Sequence, residues 1–241
     1  MNIKKFYRIS EDFKRYLVSD KKRFNSLKKL YQSNKKYFGK KILDIACGGG
    51  VLGFILEPKG HSYVGIDVNP DMINSAKKYA REIKSKNKFI LGDVTKKKIA
   101  GKFDTITFLG NSLAHFTTFD FVNLLRNIEK NTHKGTYFIV DYRDVVMLLF
   151  KKKWKDKIIE KRRDEKVISI TKDFDSKKGE IIKEAFNKTL NKKVKFVHAV
   201  WAPFILEPIM NLSGWKLVKR KPVSYWQGWL EVYKKINGRK K

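Results

Sequence analysis

The sequence predicts a doubly wound α/β fold with a mostly parallel seven-stranded sheet, N-terminal helices and a small inserted antiparallel sheet. Between residues 41 and 142, short apolar runs alternate with stretches of helical spacing, which is typical of a parallel sheet covered by helices. Between residues 168 and 200, apolar residues recur at every second position, which indicates antiparallel strands with one apolar face. A helix and two more strands then return the chain to the main sheet.

Each element follows from its local pattern. Apolar runs predict the seven strands of the main sheet at 41–46, 62–67, 88–92, 103–108, 135–142, 215–219 and 229–234. Helical spacing predicts helices over 70–83, 118–131 and 205–212, and one or two more within 1–39. Turn residues at 175–179 and 191–193 separate three inserted strands. Their predicted apolar face carries Ile168, Ile170, Phe174, Ile182, Phe186, Leu190, Val194, Phe196, His198 and Val200.

These patterns divide the chain into four predicted parts. Residues 1–40 form a helical cap, and residues 41–143 together with 203–236 form the main α/β domain. Residues 144–202 hold the inserted sheet, which we expect to act as a lid over the substrate region. Residues 237–241 are a basic tail.

The composition is that of a globular protein. The chain has 241 residues, of which 42% are hydrophobic, so it is large enough to bury a core. No apolar run approaches the roughly 20 residues that span a bilayer, and the first residues lack the apolar stretch of a signal peptide. Cys47 is the single cysteine, so no intrachain disulfide can form. We therefore expect a soluble cytoplasmic protein without a membrane partner.

The charge is strongly basic. Lysine and arginine number 55 against 24 acidic residues, a formal net charge of +31. One interpretation is an anionic partner, such as RNA or a carboxylate-bearing substrate. The other is a solvated lysine coat that reflects a lysine-rich proteome. Net charge governs association rather than chemistry, so both interpretations stay open at this point.

A glycine-rich loop follows the first strand. The segment ILDIACGGG occupies residues 42–50, and glycine there lets the backbone approach a ligand closely. Asp67 and Asp93 end the next two strands, where the first acid can accept ribose hydroxyls and the second can meet an adenine amino group. This arrangement predicts a nucleoside cofactor. NAD is the runner-up, because residues 48–53 also fit the frame Gly-x-Gly-x-x-Gly.

The three motifs resemble those of the class I S-adenosylmethionine (SAM)-dependent methyltransferases, whose first motif reads Asp-x-Gly-x-Gly-x-Gly. Asp44, Gly48 and Gly50 match that motif, and Ala46 replaces its first glycine. The resemblance implies a Rossmann-like fold and SAM as the cofactor. The implied cofactor site comprises Arg23, Asp44, Ala46, Gly48, Gly50, Asp67, Val68, Asp93, Val94, Leu109 and Asn111. Asp44 lies under the turn, which also favours a role in orienting the loop.

A second resemblance concerns the methyl acceptor. The segment GNSLAH at residues 110–115 is similar to the corresponding segment of the glycine N-methyltransferase family. In that family an arginine after the fifth strand binds the carboxylate of the amino-acid substrate, and Arg143 occupies this place. Tyr16 and Arg23 keep the spacing of a tyrosine and an arginine in that family, of which the arginine meets the carboxylate of SAM.

The predicted reaction is methyl transfer from SAM to a small molecule, the amine of an amino-acid-like carboxylate. Asn111, Arg143 and His115 are the predicted catalytic residues. The alternatives for them are a turn residue, a surface ion pair and a buried structural histidine, respectively. Transfer from a sulfonium relies on proximity and orientation and requires no metal, so we expect no metal site.

Other functions remain alternatives. The common routes of nucleic-acid methylation lack support, because the sequence has no Asn/Asp-Pro-Pro-aromatic motif and its one cysteine lies in the glycine loop. An RNA or other macromolecular acceptor that binds the basic surface is the main alternative, and a non-catalytic SAM-binding module is a third. The inserted sheet is a candidate surface for oligomer formation. The tryptophans that could line an apolar pocket under it are Trp154, Trp201, Trp226 and Trp229.

Overall fold

The computed structural model describes residues 19–162, 165–223 and 227–236. The helices are α1 (Lys21–Asn34), α2 (Val51–Leu56), α3 (Pro70–Glu82), α4 (Thr118–Ile128), α5 (Val145–Phe150) and α6 (Pro203–Leu212). The strands are β1 (Lys41–Ile45), β2 (Ser62–Asp67), β3 (Lys88–Leu91), β4 (Thr105–Phe108), β5 (Tyr137–Arg143), β6 (Lys157–Arg162), β7 (Glu165–Asp175), β8 (Glu180–Asn187), β9 (Lys192–Ala199), β10 (Trp215–Val223) and β11 (Gly228–Lys235). Short 3-10 turns cover Lys35–Tyr37, Glu57–Lys59, Ser112–His115 and Glu129–Asn131.

The main sheet confirms the predicted doubly wound α/β fold. In the described part of the chain it has seven strands in the order β10-β11-β5-β4-β1-β2-β3. Strands β1 to β5 pair in parallel, and β11 runs antiparallel to both β5 and β10. The strand order reverses at β1, which lies between β2 and β4. In this kind of sheet, ligands bind outside the carboxyl ends of the strands at such a reversal.

The central strands are buried on both faces, which is why they appear in the sequence as continuous apolar runs. Four of the five residues of β1 and all four of β4 are buried. Helix α3 starts at Pro70, with the Asn69 side chain accepting a hydrogen bond from the N–H of Asp71. A reciprocal capping box between Thr117 and Asp120 begins α4. The caps fix the first turns of the helices that follow β2 and β4.

Helix α1 packs beside the glycine loop. Its N-cap is Asp20, whose carboxylate accepts a hydrogen bond from the N–H of Arg23 at 2.9 Å. Leu27 and Tyr31 are buried in the same apolar cluster as residues of α2. This helix accounts for part of the predicted N-terminal cap. The predicted partner of Arg23, Tyr16, lies outside the described residues, as does the basic tail.

The buried carboxylate of Glu231 stabilises the antiparallel end of the main sheet through hydrogen bonds. The fully buried carboxylate of Glu231 on β11 accepts hydrogen bonds from the hydroxyls of Tyr142, at 2.8 Å, and Tyr233. It also accepts a hydrogen bond from Nε of Arg220 on β10 at 2.6 Å. A buried carboxylate needs such partners to offset its desolvation. The network therefore holds the strand that ends at Arg143 in a fixed position.

The inserted sheet differs from the prediction in strand number. Among the described residues it has four antiparallel strands in the order β6-β7-β8-β9, whereas the sequence pattern predicted three. The additional strand, β6, lies in the lysine-rich stretch that the pattern assigned to a connection. It is an edge strand with adjacent isoleucines at 158 and 159 instead of alternation, so its sequence carries no period-two signal.

The predicted apolar face of β8 is also wrong. Ile182 and Phe186 are only half-buried, whereas Ile181, Lys183, Ala185 and Asn187 form the buried side of the strand. The buried side includes the polar residues Lys183 and Asn187, and binary patterning cannot identify such a face. The predicted face residue Leu190 lies in the turn between β8 and β9 rather than in a strand. None of the helices within the described residues is both long enough and apolar enough to cross a membrane.

Candidate active site

The glycine loop after β1 takes backbone conformations that favour glycine. Gly48 and Gly50 have φ of 56° and 72°, and a Cβ atom on Gly50 would overlap the ring of Phe89. Ala46 also has a positive φ, of 53°. A side chain in this left-handed region costs about 1–2 kcal/mol. The place where the motif departs from glycine is therefore a point of backbone strain.

We expect Ala46→Gly to raise the free energy of unfolding by about 1 kcal/mol, because glycine adopts a positive φ without this strain. Chemical denaturation of the two proteins measures the change. The matched control is Ala80→Gly inside α3, which should lower the free energy of unfolding by about 1 kcal/mol. A loss of stability in both variants would contradict the assignment of strain to Ala46.

Asp67 ties the glycine loop to the end of β2. Its Oδ2 accepts a hydrogen bond from the N–H of Gly48 at 2.8 Å, and its Oδ1 accepts one from the N–H of Asn69 at 2.8 Å. Burial raises the pKa of Asp67, and the backbone N–H groups of Asn69 and Gly48 oppose this effect. Each carboxylate oxygen has two acceptor positions, so the group can also receive ligand hydroxyls.

Asp93 follows β3 and is exposed at the same edge of the sheet. Its Oδ1 accepts hydrogen bonds from the N–H of Thr95 at 2.9 Å and from the hydroxyl of Thr95 at 2.7 Å. The amide of Asn127 donates to the carbonyl of Val94 at 2.8 Å and holds this loop against α4. The acid therefore has a fixed position two strands away from β1.

A cleft of about 360 Å³ runs along the carboxyl ends of β4, β1, β2 and β3. This size suits a small-molecule or cofactor site. Of the predicted cofactor residues, the cleft is lined by Arg23, Ala46, Gly48, Asp67, Val68, Asp93 and Val94. It is also lined by residues that the sequence analysis did not assign to the cofactor, among them Met72, Gly110, Ser112, Phe116, Glu180 and Val197. The predicted residues Asp44, Gly50, Leu109 and Asn111 lie outside this lining.

Asp44 lies beneath the glycine loop. Both of its carboxylate oxygens accept hydrogen bonds at 2.6 Å, one from the hydroxyl of Tyr63 and one from the hydroxyl of Thr107. It borders a small cavity that it shares with Arg23 and Leu109. Burial raises the pKa of Asp44 to about 6, although both hydroxyl donors and the charge of Arg23 oppose the rise. This geometry supports the orienting role.

The raised pKa of Asp44 predicts a pH dependence of stability. In the unfolded chain the carboxyl titrates near its ordinary value, about 3.9, so between about pH 4 and pH 6 only the folded state holds the proton. The stabilising contribution is complete below about pH 4 and is lost as the pH rises through about 6, a change on the order of 3 kcal/mol. Denaturation curves of wild type and Asp44→Asn across this range measure it, because the variant lacks the titration. A constant difference between the two would contradict the prediction.

The charge of Arg23 faces the same edge of the sheet. A Cβ atom on Gly110 would lie 3.3 Å from a terminal nitrogen of the Arg23 guanidinium, which therefore sits against the loop after β4. Along the sheet order, the cleft then presents a cation near β4 and β1, an acid at β2 and a second acid after β3. Neighbouring strands lie about 4.8 Å apart, so these three charges form a row along the cleft.

Comparison with known proteins assigns the chain to a family. The family model described as "Methyltransferase domain" matches residues 38–220, which is most of the chain. The chain belongs to this methyltransferase family. It has the fold of the class I SAM-dependent methyltransferases, and its cofactor is SAM.

Solved structures resemble the methyltransferase over nearly its full length. The PH0226 protein of Pyrococcus horikoshii is 25% identical, with a TM-score of 0.73 over 96% of this chain and 99% of that chain. An S-adenosylmethionine-dependent methyltransferase of Clostridium acetobutylicum has the same fold, with 16% identity and a TM-score of 0.73 over 97% of this chain and 98% of that chain.

A curated relative is similar over a shorter stretch. The mitochondrial ubiquinone biosynthesis O-methyltransferase of Schizosaccharomyces pombe is 32% identical over 88 residues, which are 35% of this chain and 32% of the relative. The methyltransferase thus spans about a third of the length of that protein.

Beside the cofactor cleft, Asn111 joins the ends of β4 and β5. Its N–H donates to Oδ1 of Asp141 at 2.8 Å, and its own Oδ1 accepts a hydrogen bond from the N–H of Arg143 at 2.9 Å. It has a left-handed φ of 58° and caps the turn Ser112–His115. The hydroxyl of Ser112 donates to the carbonyl of Leu109 at 2.9 Å. The side-chain oxygen of Asn111 is thus engaged in positioning Arg143.

A second, small pocket lies between the end of β5 and the inserted sheet. Among the residues that line it are Asn111, Tyr142, Arg143, Trp154, His198 and Trp201. Its volume of about 10 Å³ corresponds to roughly one water molecule, so the pocket does not hold an amino acid in this conformation. Trp201 belongs to the core and Trp229 donates to Oδ2 of Asp144, while Trp226 lies outside the described residues.

Two histidines lie between the cofactor cleft and this pocket. His115 lines the cleft, His198 lines the pocket, and their ring centroids are 5.4 Å apart. Burial lowers the pKa of His115 to about 4. Burial also lowers the pKa of His198, and the nearby cations Lys183 and Arg143 lower it further. Both imidazoles are therefore neutral at pH 7.

The sequence analysis did not single out Lys183 on the inserted sheet. Lys183 is only 2% exposed, and the charge of Glu160 acts on both Lys183 and Arg143. The chain has 55 lysines and arginines, so a buried lysine has no distinguishing signal in the sequence. Only the pairing of β8 with its neighbours shows that Lys183 faces inward.

Proposed function

We propose that this methyltransferase transfers a methyl group from SAM to the amine of a small amino-acid-like carboxylate. The observation that carries the proposal is the position of Arg143. Arg143 ends β5 and lines the small pocket beside the inserted sheet, which we call the acceptor pocket. Its backbone N–H is held by Asn111, which precedes a turn on the wall of the cofactor cleft. A planar guanidinium binds a carboxylate through two parallel hydrogen bonds, so this placement suits an acidic small molecule.

The cleft residues fit SAM in chemistry and in order. Arg23 would bind the carboxylate of the methionine part, Asp67 the ribose hydroxyls and Asp93 the adenine amino group. The row of charges along β4, β1, β2 and β3 has the same order as these three parts of the molecule. Ala46 and Gly48 would lie under the methionine part, because both line the cleft together with Arg23.

The protein promotes the reaction mainly by orienting the acceptor toward the cofactor. When bound, SAM would supply a methyl group on a positively charged sulfur. The amine, after losing its proton to solvent, would form the new N–C bond as the S–C bond breaks, so that the positive charge passes to the methylated nitrogen and the sulfur is left as a neutral sulfide. Arg143 holds the carboxylate, and the turn from Asn111 to His115 orients the amine toward the cleft. Such orientation supplies about 7–11 kcal/mol of the barrier reduction in well-aligned reactions.

A hydroxyl acceptor is the second candidate. The Schizosaccharomyces pombe relative is named as an O-methyltransferase, and the neutral imidazoles of His115 and His198 could take a proton from a hydroxyl. The relative covers only about a third of this chain, and the pocket lined by Arg143 suits the carboxylate of an amino acid. The amine is therefore the preferred assignment.

Label from tritiated methyl-SAM tests the proposal. The purified protein is incubated with a pool of small amino carboxylates and, separately, with total RNA, and labelled products are analysed by mass spectrometry. We expect N-methylated carboxylates in the first pool. Label on oxygen would favour the second candidate. Label in RNA alone would overturn the proposal and make the +31 charge the decisive feature.

A further inference from the structure

We infer that Lys183, on the inserted sheet, is a second anchoring residue for the acceptor, so that its carboxylate binds between Lys183 and Arg143. The inference rests on the proposed role of Arg143. It assigns half of the acceptor pocket to the inserted sheet and makes a single, strongly bound carboxylate the feature that defines the substrate class.

The first support is the location of Lys183. It lies on the buried side of β8, opposite Phe196 of β9, and is only 2% exposed. Its Nζ lies 5.2 Å from the ring centroid of Trp154, which lines the same pocket as Arg143. A lysine is almost never fully buried unless it is paired with an anion. The Nζ of Lys183 is therefore held against a pocket-lining side chain, Trp154, and away from solvent.

The second support is the balance of charge. Lys183 and Arg143 are like charges close enough to act on each other, and burial together with the charge of Arg143 lowers the pKa of Lys183. The acids that oppose this effect are Glu160 and Asp156. Asp156 is exposed, so water screens it, which leaves Glu160 as the partly buried counter-charge to two cations. One added carboxylate would neutralise the group.

The third support is the neighbourhood of the pocket. His198 pairs with Ile181 across β8 and β9, so it is the diagonal neighbour of Lys183, and it lines the same pocket as Arg143. The ring of His198 contacts that of His115 on the wall of the cofactor cleft. The two histidines therefore connect the pocket beside the two cations with the cleft.

Binding without turnover tests the inference. The common α-amino acids, each paired with its primary amide, are titrated by calorimetry into the protein saturated with S-adenosylhomocysteine. We expect at least one acid to bind more tightly than its amide. In Lys183→Met, the affinity for that acid should fall about tenfold or more, while the affinity for its amide should not change. Lys183→Arg should retain most of the preference. Lys195→Met, on the exposed side of β9, is the matched control and should behave as wild type.

The outcomes separate the two proposals. An acid preference that survives in Lys183→Met, or no acid preference in wild type, overturns the role of Lys183, whatever the labelling experiment gives. If the acid preference depends on Lys183 but the labelling experiment gives no label on any amine, Lys183 binds the carboxylate as inferred and the proposed methylation of an amine is wrong. If Lys183→Met lost affinity for the acid and the amide equally, and Lys183→Arg also failed to bind both, the lysine would be purely structural and the inference would be overturned.

Discussion

Arg143→Met should lower kcat/KM for an amino carboxylate by about 100-fold or more and leave the affinity for SAM unchanged. Removing one partner of a buried, hydrogen-bonded charge pair costs roughly 2–5 kcal/mol, and methionine replaces the apolar stem of the arginine while removing its guanidinium. Steady-state kinetics measures the first quantity and calorimetry with SAM the second.

The control for this prediction is Arg126→Met, which removes an exposed arginine on α4. We expect it to match wild type in both measurements. A parallel loss of SAM affinity in Arg143→Met would show that the residue supports the cofactor cleft and not the acceptor. An unchanged kcat/KM in Arg143→Met would show that Arg143 does not bind the methyl acceptor.

Asp67→Ala should weaken SAM binding by about 100-fold. The carboxylate accepts the N–H groups of Gly48 and Asn69, and each buried donor left without an acceptor costs about 1–3 kcal/mol. The variant also loses the proposed contact with the ribose. Calorimetric titration with SAM measures the change in affinity.

Asp67→Asn separates the two effects. It keeps the size of the side chain but places an amide nitrogen where one of the N–H donors needs an oxygen. We expect affinity between that of wild type and Asp67→Ala. Asp173→Ala, at an exposed position of β7, is the control and should bind SAM as wild type does. Wild-type affinity in Asp67→Ala would contradict the assignment of the cleft.

The main sheet and the glycine loop could be predicted because their signals are local. Buried parallel strands appear as apolar runs, and left-handed turns favour glycine at fixed offsets. The strand β6 could not be predicted, because an edge strand pairs on one side and needs no apolar alternation. The orientation of β8 failed for another reason. Its buried side includes Lys183 and Asn187, so hydrophobicity pointed to the opposite face.

The candidate site was predictable only in part. Asp67 and Asp93 follow their strands directly, so their proximity to the cleft follows from the parallel topology. The link from Asn111 to Arg143 joins residues 32 positions apart, and the sequence gives each of them a separate role. Asp44 depends in the same way on Tyr63 and Thr107, which belong to the strands on either side of β1. Pairings of this kind exist only in the folded sheet.

The most direct test compares one amino acid with its primary amide as methyl acceptors for the wild-type protein. The acid is the best acceptor among the common α-amino acids, and the two compounds differ only in the group that Arg143 would bind. We expect kcat/KM for the acid to exceed that for the amide by about 100-fold or more, since only the acid offers a charged group that the guanidinium of Arg143 can bind through two hydrogen bonds. Equal values for acid and amide, with label on the same amine, would contradict the account.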